Sequence, residues 1–120
     1  MAPSRTVDLN ADVGEATDDE GIARERALLG LVTSANIACG GHAGDVASMT
    51  ATVAAALEGS VRVGAHPSYP DREGFGRRPM RISRADLRTS VEDQLRALGR
   101  VCRSAGTTIM SVKPHGALYE

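Results

Sequence analysis

Apolar residues in this chain follow two rhythms. Short β-prone runs stand at residues 6–9, 36–39, 62–65 and 109–112, the third weakened by Gly64 and the second by its alanine. Between them the apolar positions recur every three or four residues. Val46, Met49, Val53 and Leu57 predict a helix over residues 46–58, opened by Asp45 and closed by Gly59. Leu87, Val91, Leu95, Leu98 and Cys102 predict a second, with Ser83 and Asp86 spaced as a capping pair and Gly106 as the stop. A further helix is expected over residues 20–32, although its apolar positions crowd late, at Leu28, Leu29, Leu31 and Val32. The order is then β-α-β-α-β-α-β. Strands alternating with helices call for right-handed crossovers and a parallel sheet, so the expected class is α/β.

One long irregular stretch, residues 67–79, follows the third run, at the strand end where α/β enzymes keep their substrate loops. No domain boundary, low-complexity tract or repeat interrupts the pattern. Composition narrows the choice of function. Aromatics make up 2% of the chain and net charge is −1 with both signs interspersed, so neither a stacking platform nor a basic field for nucleic acid is present. No run approaches the roughly 20 apolar residues of a membrane span, and the N-terminal MAPSRTVDLN has no signal-peptide core. The expected location is the cytoplasm, and small-molecule chemistry is the remaining default. Cys39 and Cys102 lack the spacing of a redox or zinc pair, and the small apolar neighbours of Cys39 suit a packed thiol better than a nucleophile.

The chain has three histidines, and each stands just past an apolar run: His42 in ACGGHAGD, His66 in VGAHP and His115 in VKPHG. The first run carries acids and an amide instead, at Asp8, Asn10, Asp12 and Glu15. If the runs are neighbouring parallel strands, all these groups collect at one rim, as in α/β active sites. Asp8, Asn10 and Asp12 alternate and so share one face of an extended strand, unless the segment is a solvated turn. Two uses of such a rim stay open: a divalent-metal site, with Asp12, His42, His66 and His115 as ligand candidates, or metal-free acid/base catalysis. Lys113 is placed to move a proton or hold negative charge. Arg77 and Arg78 can clamp a carboxylate or phosphate, or merely face solvent. The glycines before Asp45 can cradle an anion, or Asp45 can be an ordinary helix cap.

Taken in order, the segments DLNADVGE, SANIACGGHAGD, VGAHPSYPD, GFGRRPM and VKPHGALY resemble the signature of the LamB/YcsF family, from about Val7 to Tyr119. Members of that family serve as the A subunit of prokaryotic 5-oxoprolinase. The resemblance implies ATP-dependent opening, with Mg2+, of the lactam 5-oxoproline to glutamate in company with partner subunits B and C. It also implies a (β/α) barrel of the glycoside hydrolase/deacetylase type, an association with carbohydrate metabolism, and functional roles for Asp8, Asn10, Asp12, Glu15, His42, Asp45, His66, Lys113 and His115. Ala11, Gly41, Ser68 and Glu120 depart from the family pattern, where cysteine, an aromatic, glycine and asparagine are common; Gly41 is expected to widen the pocket beside His42.

Such a barrel needs about 250 residues, roughly twice the 120 residues here. Residues 1–120 are therefore expected to form the N-terminal half of a single barrel domain. A half barrel leaves an open sheet edge and uncovered helix faces. Two alternatives to the lactam-opening reading follow: a metal-dependent amidohydrolase or deacetylase without ATP, and a catalytically inert half that serves only to bind partners.

Overall fold

The computed structural model describes residues 4–120. Its strands β1 (Asn10–Val13), β2 (Ser34–Ala38), β3 (Arg62–His66) and β4 (Ser111–Val112) form one parallel sheet in the order β1-β2-β3-β4. Helices α1 (Asp19–Leu29), α2 (Val46–Glu58) and α3 (Arg84–Ala105) make the three crossovers. The class is α/β, as expected. Each crossover leads to the adjacent strand and the direction never reverses, which is barrel winding rather than the doubly wound arrangement. All four strands therefore end on the same side.

Burial follows from where each strand sits. β2 is buried at every residue and β3 at all but Arg62, the two central strands of the sheet. Ala35, Ile37, Val63 and Ala65 pack against Met49, Val53 and Ala56 of α2 and against Leu98 and Cys102 of α3. Small strand residues let the helices approach closely, and each fully buried Ile or Val contributes about 1.5–3 kcal/mol. The alternation of the pleat turns Asn36 to the other face, where its amide donates to Asn10 Oδ1 at 2.8 Å and Asp12 Oδ1 at 3.1 Å. One face of the sheet is thus the core and the other is polar.

Several boundaries differ from the sequence expectation. The first strand is not at residues 6–9 but starts at Asn10, because the register pairs Asn10 with Ser34 and buries Val13 opposite Ile37. Val7 and Leu9 are exposed in consequence. Helix α1 does not reach Val32: Gly30 caps it, and Leu31 lies in solvent. β2 begins at Ser34, ahead of Asn36, and β4 is only Ser111–Val112, with both residues exposed on an open edge. Helices α2 and α3 match, capped by Asp45 and Ser83 and closed by Gly59 and Gly106. No described helix is long and apolar enough to cross a membrane, and Met1–Pro3 of the N-terminal segment lie outside the described residues.

Candidate active site

The C-terminal rim of the sheet gathers Glu15, His42, His66 and His115. His66 is the last residue of β3, and the other three stand in the loops that leave β1, β2 and β4. Local structure aims each of them. After β1 the chain turns through Gly14 at φ +74, a left-handed conformation that favours glycine, and three successive backbone N–H groups at Gly14, Glu15 and Ala16 donate to the Glu25 carboxylate at 2.9–3.1 Å. That turn directs the Glu15 side chain inward. His42 stacks on His115 with ring centroids 3.7 Å apart, and His66 meets both rings edge-on. The three imidazoles are buried.

The outer hydrogen bonds of these rings define which nitrogens carry protons. His66 Nδ1 lies 2.6 Å from the Lys113 carbonyl oxygen and His115 Nε2 lies 2.8 Å from that of Phe75. A carbonyl only accepts, so both nitrogens donate. Ser68 Oγ donates to the Tyr69 carbonyl at 2.9 Å and therefore accepts from His42 Nδ1 at 3.0 Å. The remaining nitrogens all point inward. His42 Nε2 is 2.6 Å from Glu15 Oε2, His66 Nε2 is 3.0 Å from His115 Nδ1, and both His66 Nε2 and His115 Nδ1 are 3.9 Å from Glu15 Oε2. In neutral rings with these outer bonds, three lone pairs and a carboxylate converge.

A more open wall adjoins the cluster. Asp12 places Oδ2 3.4 Å from His66 Nε2 and Oδ1 3.1 Å from Lys113 Nζ, while Asn36 donates to it from below. Both Lys113 and Asn36 donate to Oδ1 and favour the ionised carboxylate. At His115 it is burial that dominates, lowering the pKa and favouring the neutral ring. A cleft of about 370 Å³ opens here, lined by Asp12, His66, Lys113, His115 and Tyr119. The arrangement offers a permanent carboxylate and an ammonium group to a small polar substrate.

The irregular stretch 67–79 covers the cluster. Phe75 packs edge-on against His42 and His115 and has φ +54, a strained conformation that costs on the order of 1–3 kcal/mol and presents its carbonyl to His115. Gly76 follows at φ +66, where a Cβ would stand 3.0–3.1 Å from His42, His115 and Ser68. Asp71 staples the loop by accepting from the Gly74 N–H at 2.9 Å and from Arg78 Nη2 at 2.7 Å.

Not every residue expected at the rim is there. Asp8 precedes β1 at the opposite end of the sheet, exposed, and accepts from Thr33 Oγ1 at 2.5 Å and Ser34 Oγ at 2.7 Å; the later start of β1 moves it away from the histidines. Asn10 shares the polar face with Asp12, and its side chain accepts from Asn36. Asp45 caps α2 in a reciprocal box with Ser48. Arg78 is taken up by Asp71, and Arg77 lies over the Phe75 ring at 5.0 Å. Gly41 does not widen a pocket beside His42, because Ser68 Oγ and Gln94 fill the space its side chain would need. Cys39 is buried, which pushes its thiol up to about 11 and disfavours the thiolate a nucleophile needs.

Sequence reasoning missed Glu25, Ser68, Gln94 and the Phe75 carbonyl, the groups that aim the others. Gln94 on α3 accepts from the Ser68 N–H and donates to the Ser68 carbonyl, at 3.0 and 2.9 Å. Its only signal is a glutamine on the buried face of α3, at a position between Val91 and Leu98.

Known proteins share this chain's sequence and fold over nearly its whole length. The 5-oxoprolinase A subunit of Methylococcus capsulatus is 53% identical over 116 residues, covering 97% of this chain and 45% of that protein. That of Neisseria meningitidis serogroup B is 52% identical, covering 96% and 45%. The crystal structure of the lactam utilization protein from Thermus thermophilus superposes with a TM-score of 0.89 at 43% identity, covering 96% of this chain and 47% of that one. This chain spans less than half the length of each. Residues 7–120 match the LamB/YcsF family, and the chain belongs to that family.

Proposed function

We propose that the chain forms the N-terminal half of a barrel protein that opens the lactam ring of 5-oxoproline to give glutamate, with ATP and Mg2+ and with partner subunits B and C, in the cytoplasm. The observation that carries this reading is the Asp12–Lys113 pair facing a cleft beside the histidine cluster. It is supported by relatives at about half identity that are named as the A subunit of 5-oxoprolinase.

A lactam resists hydrolysis because its nitrogen donates into the carbonyl. Phosphoryl transfer from ATP to the lactam oxygen, with loss of the N–H proton to solvent, converts the amide to an imidoyl phosphate whose ring carbon is electrophilic. Water then adds to this carbon, and as its oxygen–carbon bond forms the water becomes acidic, so even a weakly basic carboxylate can take its proton. Asp12 is that acceptor. Lys113, 3.1 Å from Asp12 in the resting site, holds the negative charge that develops on the substrate oxygens. Collapse of the adduct breaks the C–N bond as the ring nitrogen takes up a proton, and a second water hydrolyses the resulting acyl phosphate to the free carboxylate and phosphate.

Glutamate release from 5-oxoproline, measured with the chain completed to the length of its relatives and mixed with subunits B and C, tests the reading. Turnover that requires ATP and falls by about a hundredfold in Asp12→Asn supports it. Turnover unchanged in that variant contradicts it. The convergence of four ligand-type side chains favours a second reading, an amidohydrolase that works without ATP, and lactam hydrolysis in the absence of nucleotide would select it.

A further inference from the structure

We propose that Glu15, His42, His66 and His115 bind one divalent transition-metal ion of the zinc class, a claim that rests on the geometry of this cluster and holds whichever substrate the cleft takes. The protons make the case. Each ring spends its one N–H on an outer acceptor, Ser68 Oγ or a backbone carbonyl, so each neutral ring turns a lone pair inward. His66 Nε2 and His115 Nδ1 then face each other at 3.0 Å with no proton between them, and His42 Nε2 faces a carboxylate oxygen at 2.6 Å. Lone pairs at these separations repel unless something positive lies among them.

Two positive species fit: protons or a metal ion. Protons would have to be placed contact by contact, one between His42 and Glu15 and another between His66 and His115. A single divalent ion satisfies all four donors at once. Three imidazoles and one carboxylate are the donor set of zinc-class ions, whereas magnesium and calcium take oxygen ligands. Metal–ligand bonds of about 2.0–2.1 Å in a tetrahedron place neighbouring donors about 3.3 Å apart. The four donor atoms here lie within 4.8 Å of one another, with closest pairs from 2.6 to 3.9 Å, so adjustments of roughly an ångström complete the tetrahedron.

The outer acceptors serve the same end. A histidine ligand that donates its second N–H to an oxygen has its tautomer and ring angle fixed before the ion arrives. Asp12 stands outside the group of four convergent donors, with Oδ1 held by Lys113 and Asn36 and Oδ2 3.4 Å from His66 Nε2.

Titration of the metal-stripped 120-residue chain with Co2+ tests this, followed by visible absorption and by circular dichroism recorded on the same samples. One equivalent bound, with the intense absorption of a four-coordinate cobalt ion and displacement by Zn2+, is the expected result; if the chain folds only as the ion is added, folding itself reports binding. His66→Gln and Glu15→Gln should weaken binding by roughly a hundredfold or more, Ser68→Ala by roughly tenfold, and Asp12→Asn by less than about threefold with an unchanged spectrum. A folded chain that binds no ion, or that binds equally well in His66→Gln and Glu15→Gln, overturns the proposal, and the cluster is then a proton-sharing one. Because no substrate, nucleotide or partner subunit enters the titration, its outcome is separate from that of the lactam assay.

Discussion

The two ends of this sheet carry similar residues and do opposite things. At the N-terminal end Asp8 receives hydrogen bonds from two hydroxyls, at 2.5 and 2.7 Å, and those donors lower its pKa. Its Oδ1 already has two donors and the residue is exposed, so no further ligand is called for. At the C-terminal end Glu15 and three imidazoles are gathered with the ring donors already spent outward, and acceptors outnumber donors. The lesson is that an acid's residue type does not mark a site; an imbalance among its neighbours does.

The comparison is broken most directly by removing the rim. His115→Gln in the completed chain with subunits B and C should lower lactam turnover at least about a hundredfold, as measured by glutamate release, while circular dichroism remains that of the folded chain. A smaller effect is expected from crowding the cluster from outside. Gly76→Ala forces a Cβ against His42 and His115 at φ +66 and should destabilise the fold by about 1–2 kcal/mol in urea unfolding, with a roughly tenfold loss of turnover.

The rim also sets the response to acid. The folded pKa of His115 lies below its ordinary 6.5, so the neutral ring's contribution to stability is fully present above about pH 6.5 and is lost as pH falls from there through the lowered value. Asp12 has the same sign in a more acidic window: its contribution is present above its ordinary 3.8 and is lost as pH falls below it. Thermal melts at about pH 7.5 and about pH 5 should show a lower midpoint in the acid sample. His115→Gln should flatten that difference, whereas Asp8→Asn should leave it in place. At the other end of the scale, Asp8→Asn should keep turnover within about twofold in the same glutamate assay.

Much of this organisation was legible in the chain itself. The periods of α2 and α3 are legible because the middle of each apolar series, Met49 and Val53 in one and Leu98 and Cys102 in the other, falls on a buried face, and caps close both ends, although Val46 and Leu57 are exposed. His42, His66 and His115 could be placed together from their positions after apolar runs, since parallel strands must end on the same side. Asp8 could not be told from Asp12. Both alternate on one strand-like segment, and only the pairing of Asn10 with Ser34 decides that the strand starts later. Likewise the groups that aim the site are a backbone carbonyl on Phe75, a serine, and an acid and an amide on distant helices. Ser68 and Gln94 meet over 26 positions of sequence, and no local pattern encodes that contact.

On the proposed reading the C-terminal rim, and not the acid-bearing segment as a whole, is the active site. A paired assay of glutamate release from 5-oxoproline, with the completed chain and its partner subunits, tests it most directly using Asp12→Asn and Asp8→Asn side by side. The account predicts a loss of about a hundredfold in the first and less than about twofold in the second. Equal losses in both, or none in Asp12→Asn, would contradict it.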